Sequence, residues 1–422
     1  MRLFKTILGL CIIFMIVFPY GKFGPVPIKF MLLLVMSGFG FLTMLLVDKK
    51  IRMDLMIFVF FFSFVFPMIW LVIGVINGNP LANIIDFVNV FPLISIMFFV
   101  YLLYDNDSFR GFIHLVAQSV TFVAFLTIIL FIVYMFLDPL TRSAVSAFLQ
   151  PSGLGSGVHM SQTGLVRIIL RSNVFIPVNL FLLLGIMRYD PRFKWKVCLL
   201  ITFLASFTGF NKAFFLGLVL AGAFFVLFQG WFRFKFPLVR DPLIRVMAVL
   251  LLMIVVSPLV FRAVGEAAEG LDMSTFSNLV RLEQAEYLSD NIDRGSIWGG
   301  GFGAVGENLR RIRYVRKFST TQYFELEYLH LFLQLGLVGF VIFGLFLGMP
   351  LFLYFYYYDV LGQNRYLCSV VMSGYISYLF YAGTNPYIMG SSGFLVIVLA
   401  YLIVLFSRKY SSLELMAEGA KK

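Results

Sequence analysis

Two carboxylates and an imidazole stand together in Tyr323-Phe-Glu-Leu-Glu-Tyr-Leu-His330, where a polar stretch runs into a long apolar one. Glu327, His330 and Gln334 recur at i, i+3 and i+7, so on a helix they share a face, with Glu325 half a turn away at its mouth. A carboxylate or imidazole at a membrane edge can take the proton of a hydroxyl or orient it; the alternative is a satisfied polar pair between packed helices. Cations offer a second chemistry. Arg167 and Arg171 are four apart and Asn179 lies eight beyond, so a helix would place all three on one face at the outer end of an apolar run. Arginine matches phosphate oxygens geometrically, which makes Arg171, with Arg167, a candidate phosphate holder; the alternative is snorkelling to lipid headgroups. Lys212, in Thr208-Gly-Phe-Asn-Lys212, faces the same choice.

Further charges are less decisive. Asn83, Asp86 and Asn89 form a polar stripe, and Asp86 inside an apolar run is a functional candidate or the structural partner of an arginine. Arg310, Arg313 and Lys317 share a helical face, flanked by Arg311 and Arg316. They read as a headgroup anchor or as an electrostatic funnel for an anionic, lipid-linked substrate. Walker A, HExxH, Cys/His-cluster and GxSxG patterns are all missing, which argues against an ATP-driven pump, a catalytic metal and a serine hydrolase.

The elements that must position these groups are membrane helices. Hydrophobic residues make up 61% of the 422-residue chain and charged residues 13%, against about half and a quarter in soluble domains. The mean hydropathy is +0.94. Cys11, Cys198 and Cys368 lie in apolar runs without CxxC spacing or His partners, which argues against a disulfide framework and a structural zinc site. Apolar runs fall near 6–20, 28–47, 55–77, 83–104, 112–137, 166–187, 197–210, 213–228, 246–261, 328–357, 367–387 and 390–406, which predicts about twelve spans in one all-α domain, 1–422. With the N-terminus inside, the segments 48–52, 188–196, 229–245 and the tail from Ser407 are inside, and each carries three or four Lys/Arg. Both ends are then cytoplasmic, and the long external loops are 138–165 and 262–327. Within the second loop, Leu271–Leu288 reads as an interfacial or external helix, Glu307–Lys317 as another helix, and Gly299-Gly-Gly-Phe-Gly303 as a tight turn where backbone closely approaches something. The net charge of +12 follows from this topology and implies no nucleic acid.

Taken together, these stretches resemble the O-antigen polymerase and ligase superfamily of bacterial polysaccharide assembly. Arg171-Ser-Asn-Val-Phe-Ile-Pro-Val-Asn179 is similar to the family's Arg…Gly-x-Phe-x-Asn-Pro-Asn segment, with Arg171, Pro177 and Asn179 kept. Thr208-Gly-Phe-Asn-Lys-Ala213 is similar to its Ser-Arg-Gly turn, with Lys212 where arginine is usual. The long loop then follows the family's order: Arg281, a glycine cluster, and a signature helix carrying Leu335-Gly-Leu-Val-Gly339; Thr384-Asn-Pro386 is also common in polymerases. The likeness spans roughly residues 160 to 390, and it rests on the order of motifs that are individually short. Ligases typically open the signature helix with His-Asn, eleven residues before the first glycine of Leu-Gly-x-x-Gly. Here that position is Glu325, and His330 stands five residues later, which tilts the reading to a polymerase.

The resemblance implies a GT-C-like, multi-pass glycosyltransferase of the bacterial inner membrane with its active site facing the periplasm. Its substrate would be an oligosaccharide on undecaprenyl diphosphate, polymerised for O-antigen, capsule or exopolysaccharide. Arg171, Arg281 and Lys212, with Arg167, would hold the departing diphosphate, and Glu325 or Glu327 would activate the acceptor hydroxyl, with His330 a further candidate. Asn179, Asp86, Arg310, Arg313 and Lys317 would contact substrate. No cofactor or metal is expected, because the leaving group is already activated. Expected partners are membrane lipids and the lipid-linked glycan, with a chain-length regulator as a further candidate. The competing readings are an O-antigen ligase, a flippase or secondary transporter, and a membrane scaffold.

Overall fold

Apolar segments in a bilayer find no water for their peptide groups and must satisfy them internally, which favours helices. A computed structural model of the chain describes residues 2–19, 52–138, 141–142, 144, 155–160, 166–208, 212–231, 273–292, 297–306, 316–318, 321–383, 385 and 387–419. The described helices are α1 (Arg2–Val17), α2 (Met53–Ile76), α3 (Leu81–Leu103), α4 (Asn106–Phe136), α5 (Phe175–Tyr189), α6 (Phe193–Thr208), α7 (Lys212–Trp231), α8 (Met273–Ile292), α9 (Glu327–Tyr356), α10 (Arg365–Ala382) and α11 (Ser391–Gly419). Two short antiparallel ribbons join them, β1 (Gly155–Met160) with β2 (Val166–Leu170) and β3 (Arg316–Phe318) with β4 (Thr321–Tyr323). Among the described residues six helices are long and apolar enough to cross a membrane. The chain is therefore a helical membrane protein. The expected spans at 28–47 and 246–261 lie outside the described residues.

Local chemistry shapes these helices. In α2 a π-helical turn, Phe61–Val65, precedes Pro67, whose ring would clash with the carbonyl of Ser63 in a regular helix. In α3 a turn and a 3₁₀ segment, Phe91–Ile94, accommodate Pro92. α4 opens on a capping box in which Asp105 accepts from the Ser108 N–H and Ser108 Oγ accepts from the Asp105 N–H.

Contacts sort into two opposite ends. At one end Tyr104 OH donates to Lys5 O, Lys5 pairs with Asp105, and Arg408 bonds Tyr357 OH. Cations there lie over aromatic rings, Arg188 over Tyr366, Arg365 over Tyr358, Arg408 over Tyr357 and Lys409 over Tyr101, at 4.0 to 5.8 Å. We call this the basic end. At the other end Ser172 Oγ donates to Ile16 O at 2.6 Å and Ser391 Oγ to Pro19 O. This polar end gathers the close of α1 and the starts of α5, α9 and α11.

α9 is broken in its interior. Gly336 takes φ 61° and ψ −172°, nine residues after Glu327 and about 14 Å along the axis. The break strips the carbonyls of Leu333, Gln334 and Leu335 of their helical donors. The loop 297–306 replaces them. Gly300 N–H donates to Leu333 O and Gly301 N–H to Gln334 O, both at 2.9 Å, while Val338 N–H donates to Ile297 O at 3.1 Å. The Trp70 indole of α2 donates to Leu335 O at 2.9 Å and to Trp298 O at 3.1 Å. Asn79 then binds the far side of the loop through Gly300 O and Phe302 O, at 2.8 and 3.0 Å.

Two helical expectations change. The run expected from 166 begins instead as strand β2, and its helix starts only at Phe175 after a 3₁₀ turn, Arg171–Val174. β-branched Val166, Ile168 and Ile169 favour the strand, and at the turn Ser172 Oγ donates to Ile16 O of α1 while Asn173 Oδ1 accepts from Thr127 Oγ1 of α4. Arg167 and Arg171 therefore do not share a helical face with Asn179. Likewise Lys317 sits in β3, paired with Gln322, so no single helix runs from Glu307 to Lys317.

The interlock leaves no room for side chains. A Cβ on Gly301 would stand 2.1 Å from Gly74 N, at a φ of +78°. Gly301→Ala is expected to cost at least about 2 kcal/mol and to lower the unfolding temperature in detergent. Gly348→Ala, in α9 where an added Cβ meets nothing within 4 Å, is expected not to lower it.

Candidate functional site

The polar end carries a cluster built on α8, the glycine loop and the start of α9. In α8, Arg281 and Gln284 are three apart and share a face. Both reach the residues just before α9. Gln284 Oε1 accepts from the Glu325 N–H at 2.8 Å, and Arg281 Nε lies 3.2 Å from Glu325 Oε2. The Glu325 side chain is 10% exposed and that of Arg281 is 28% exposed, so the pair sits at a boundary with solvent access through the arginine. Apolar contacts fix the register: the Tyr287 and Phe324 rings stack at 6.0 Å, and Leu288 and Leu333 join them. Tyr287 OH donates to Val305 O at 2.9 Å, which ties α8 to the glycine loop.

Glu327 does different work. Its carboxylate accepts the N–H groups of Ile388 and Met389 at 2.6 and 2.8 Å and is buried. Both oxygens are thus engaged by the loop between α10 and α11. Tyr328 OH donates to Leu379 O at 2.8 Å beside it. His330 is buried as well. Its Nε2 lies 3.1 Å from Ala304 O and 2.9 Å from Gln334 Nε2, and Phe324 and Phe87 wall the ring edge-on. The shared face expected of Glu327, His330 and Gln334 therefore divides: His330 and Gln334 brace the glycine loop, and Glu327 holds the α10–α11 loop.

Arg171 opens the 3₁₀ turn before α5, adjacent to Ser172, whose hydroxyl caps α1. Arg167 stands on β2, in register with His159 of β1. Lys212 is the first residue of α7, where a cation opposes the helix dipole and gains nothing for helix stability. Asp86 is half-buried on α3. Asn179 is buried among α4, α5 and α6, where its Nδ2 donates to Ala117 O, Thr121 Oγ1 and Thr202 Oγ1 at 3.3 to 3.4 Å. That is interhelix bonding, with no contact to the cluster around Glu325. Arg310 and Arg313 lie outside the described residues. Among the described residues no three His, Cys, Asp or Glu side chains gather as a metal site.

Sequence reading overlooked Gln284, the donors at Ile388 and Met389, and the helix break. For Gln284 a signal existed, since it lies one turn beyond Arg281. For the loop N–H groups no side-chain signal exists.

Chemically, the cluster offers a carboxylate held by a guanidinium at the boundary of the protein. A guanidinium can exchange one anion for another, and a carboxylate so released is a proton acceptor. Two measurements test these assignments. A double-mutant cycle on Arg281→Ala and Glu325→Ala is expected to give a stabilising coupling of about 1–2 kcal/mol. Glu327→Gln sets an amide NH₂ against a backbone donor. It is expected to cost about 1–3 kcal/mol and to raise hydrogen exchange at Ile388 and Met389.

No family model, no curated protein and no solved structure matches this chain.

Proposed function

We propose that the chain is a bacterial polysaccharide polymerase. It transfers a glycan from undecaprenyl diphosphate to the next lipid-linked repeat unit at the outer face of the inner membrane. The observation that carries this reading is the Arg281–Glu325 pair, which joins a phosphate-suited cation to a potential base across the two limbs of the long loop. The order of motifs along the chain supports it, as does Glu325 at the position where ligases carry histidine. The wider architecture belongs to the same proposal: about twelve spans, a GT-C-like arrangement, both termini cytoplasmic, and the polar end facing the periplasm.

In this scheme Arg281 exchanges Glu325 for the diphosphate of the incoming donor. The exchange frees Glu325 in step with substrate arrival. The acceptor hydroxyl oxygen attacks the anomeric carbon, and its proton passes to Glu325. The bond from that carbon to the diphosphate oxygen breaks, and its electron pair leaves on the diphosphate. Arg281 and Arg171 offset the developing charge, and Lys212 adds a cation where the N-terminus of α7 already favours anions. Glu327 and His330 position the two loops that frame the reaction.

The test is purified protein incubated with its lipid-diphosphate repeat unit. A ladder of products is expected, and Arg281→Ala and Glu325→Gln are each expected to lower the rate at least about a hundredfold. Arg171→Ala is expected to slow it as well. Full-length polymer from Arg171→Ala and Arg281→Ala variants at normal protein levels would remove the diphosphate site. Single transfer of finished glycan to an acceptor core would indicate a ligase, and vesicle transport without elongation a flippase.

A further inference from the structure

A groove on the flank of the bundle takes no part in the cluster around Glu325. It encloses about 430 Å³ between α5 and α6, is closed by Leu218 of α7, and is lined by Leu180, Leu184, Leu199 and Phe203 with Lys196 at its margin. α5 and α6 are joined by the short segment 190–192 and run in opposite directions, so Leu184 and Lys196 lie at the same end. That end is the basic one. Lys196, Leu199 and Phe203 recur at i, i+3 and i+7 on α6, and Leu180, Leu184 and Arg188 recur at i, i+4 and i+8 on α5. Each wall therefore carries the same order: two apolar turns, then a cation. The stripe is about 10 Å long.

The charge at this end is available to a ligand. The segment 188–196 holds four cations, Arg188, Arg192, Lys194 and Lys196, and one carboxylate, Asp190. Asp190 is already engaged by Arg192 and by the Trp195 indole, the latter at 2.7 Å. Hydrogen bonding to both holds its carboxyl well below the usual carboxylate range, so it stays an anion committed to these partners. The Arg188 guanidinium lies over the Tyr366 ring at 5.8 Å, a contact that leaves its N–H edge to donate elsewhere. Leu184 and Phe203 are 38% and 48% exposed, so a lipid chain reaches both walls.

An apolar trench that ends in cations has the chemistry of an acyl chain below a negative headgroup. We propose that this groove binds an anionic phospholipid, with one acyl chain between α5 and α6 and the headgroup phosphate at Lys196 and Arg188. The inference stands apart from the proposed glycan transfer, which uses the opposite end of the bundle.

The experiment is native mass spectrometry of the full chain in detergent, titrated with phosphatidylglycerol or phosphatidylcholine of identical chains. The unaltered protein is expected to bind phosphatidylglycerol at least about tenfold more tightly. Arg188→Gln combined with Lys196→Gln is expected to bring the two lipids within about twofold. Leu184→Trp fills the trench and is expected to weaken phosphatidylglycerol binding while leaving both cations in place. Lys409→Gln, elsewhere on the basic end, is expected to preserve the preference. Equal binding of both lipids by the unaltered chain would overturn the proposal. So would a preference that survives the double substitution at an unchanged unfolding temperature, a loss of preference as large in Lys409→Gln, or a dimer that excludes lipid from the groove.

Discussion

Three carbonyls freed in the first half of α9 set the terms for the rest of this molecule. Gly336 turns the backbone of α9 away from helical geometry, and the carbonyls of Leu333, Gln334 and Leu335, buried within the protein, lose their helical partners where water does not replace them. Each buried group left unpaired costs several kcal/mol, so replacement donors must come from protein. They come from the Gly300 and Gly301 N–H groups and from the Trp70 indole. The loop is thereby drawn inward between α2 and α9 and becomes part of the core.

That single repair propagates outward. Because the loop is fixed at Gly299–Gly303, the residues after it, Ala304 and Val305, are fixed too. Ala304 meets His330 and Gln334, and Val305 meets Tyr287 of α8. α8 is thus docked at a defined height, with Arg281 and Gln284 aimed at Glu325. From the other side Glu327 clamps the 388–389 backbone. The two carboxylates are two residues apart in sequence yet serve separate elements. Glu325 keeps a charged partner near the boundary, while Glu327 is consumed by backbone donors in the interior. This separation is why Glu325 carries the proposed chemistry and Glu327 the framework.

The two ends of the bundle then divide the labour. The basic end ties its cations to aromatic rings and suits an interface with anionic lipid. The polar end brings the α1 terminus, the Arg171 turn and the α10–α11 loop together through Ser172, Ser391 and Glu327. In the proposed mechanism the lipid carrier's diphosphate belongs to this second end.

Hydropathy and charge were enough to establish a helical membrane protein, the placement of most of the described helices, and the glycine cluster as a tight turn. These are local properties: burial in lipid demands apolar runs, and positive φ demands glycine. The helix expected over Leu271–Leu288 from mixed charged and apolar residues at helical spacing is α8. What lay beyond the sequence depends on partners far apart in the chain. No pattern around Leu335 announces that Trp70, 265 residues earlier, supplies a donor. The i, i+3, i+7 spacing put Glu327, His330 and Gln334 on one face, but the nearest backbone donors and acceptors split them. Helical spacing likewise joined Arg167 to Arg171, until β-branched residues and a pairing with β1 turned the first into a strand. The sequence determined which residues carry groups able to do chemistry and that they belong to a helical membrane protein. Only the tertiary structure decided which of them are spent on holding the backbone together, because a buried donor or acceptor must be matched by whatever the fold brings within 3 Å.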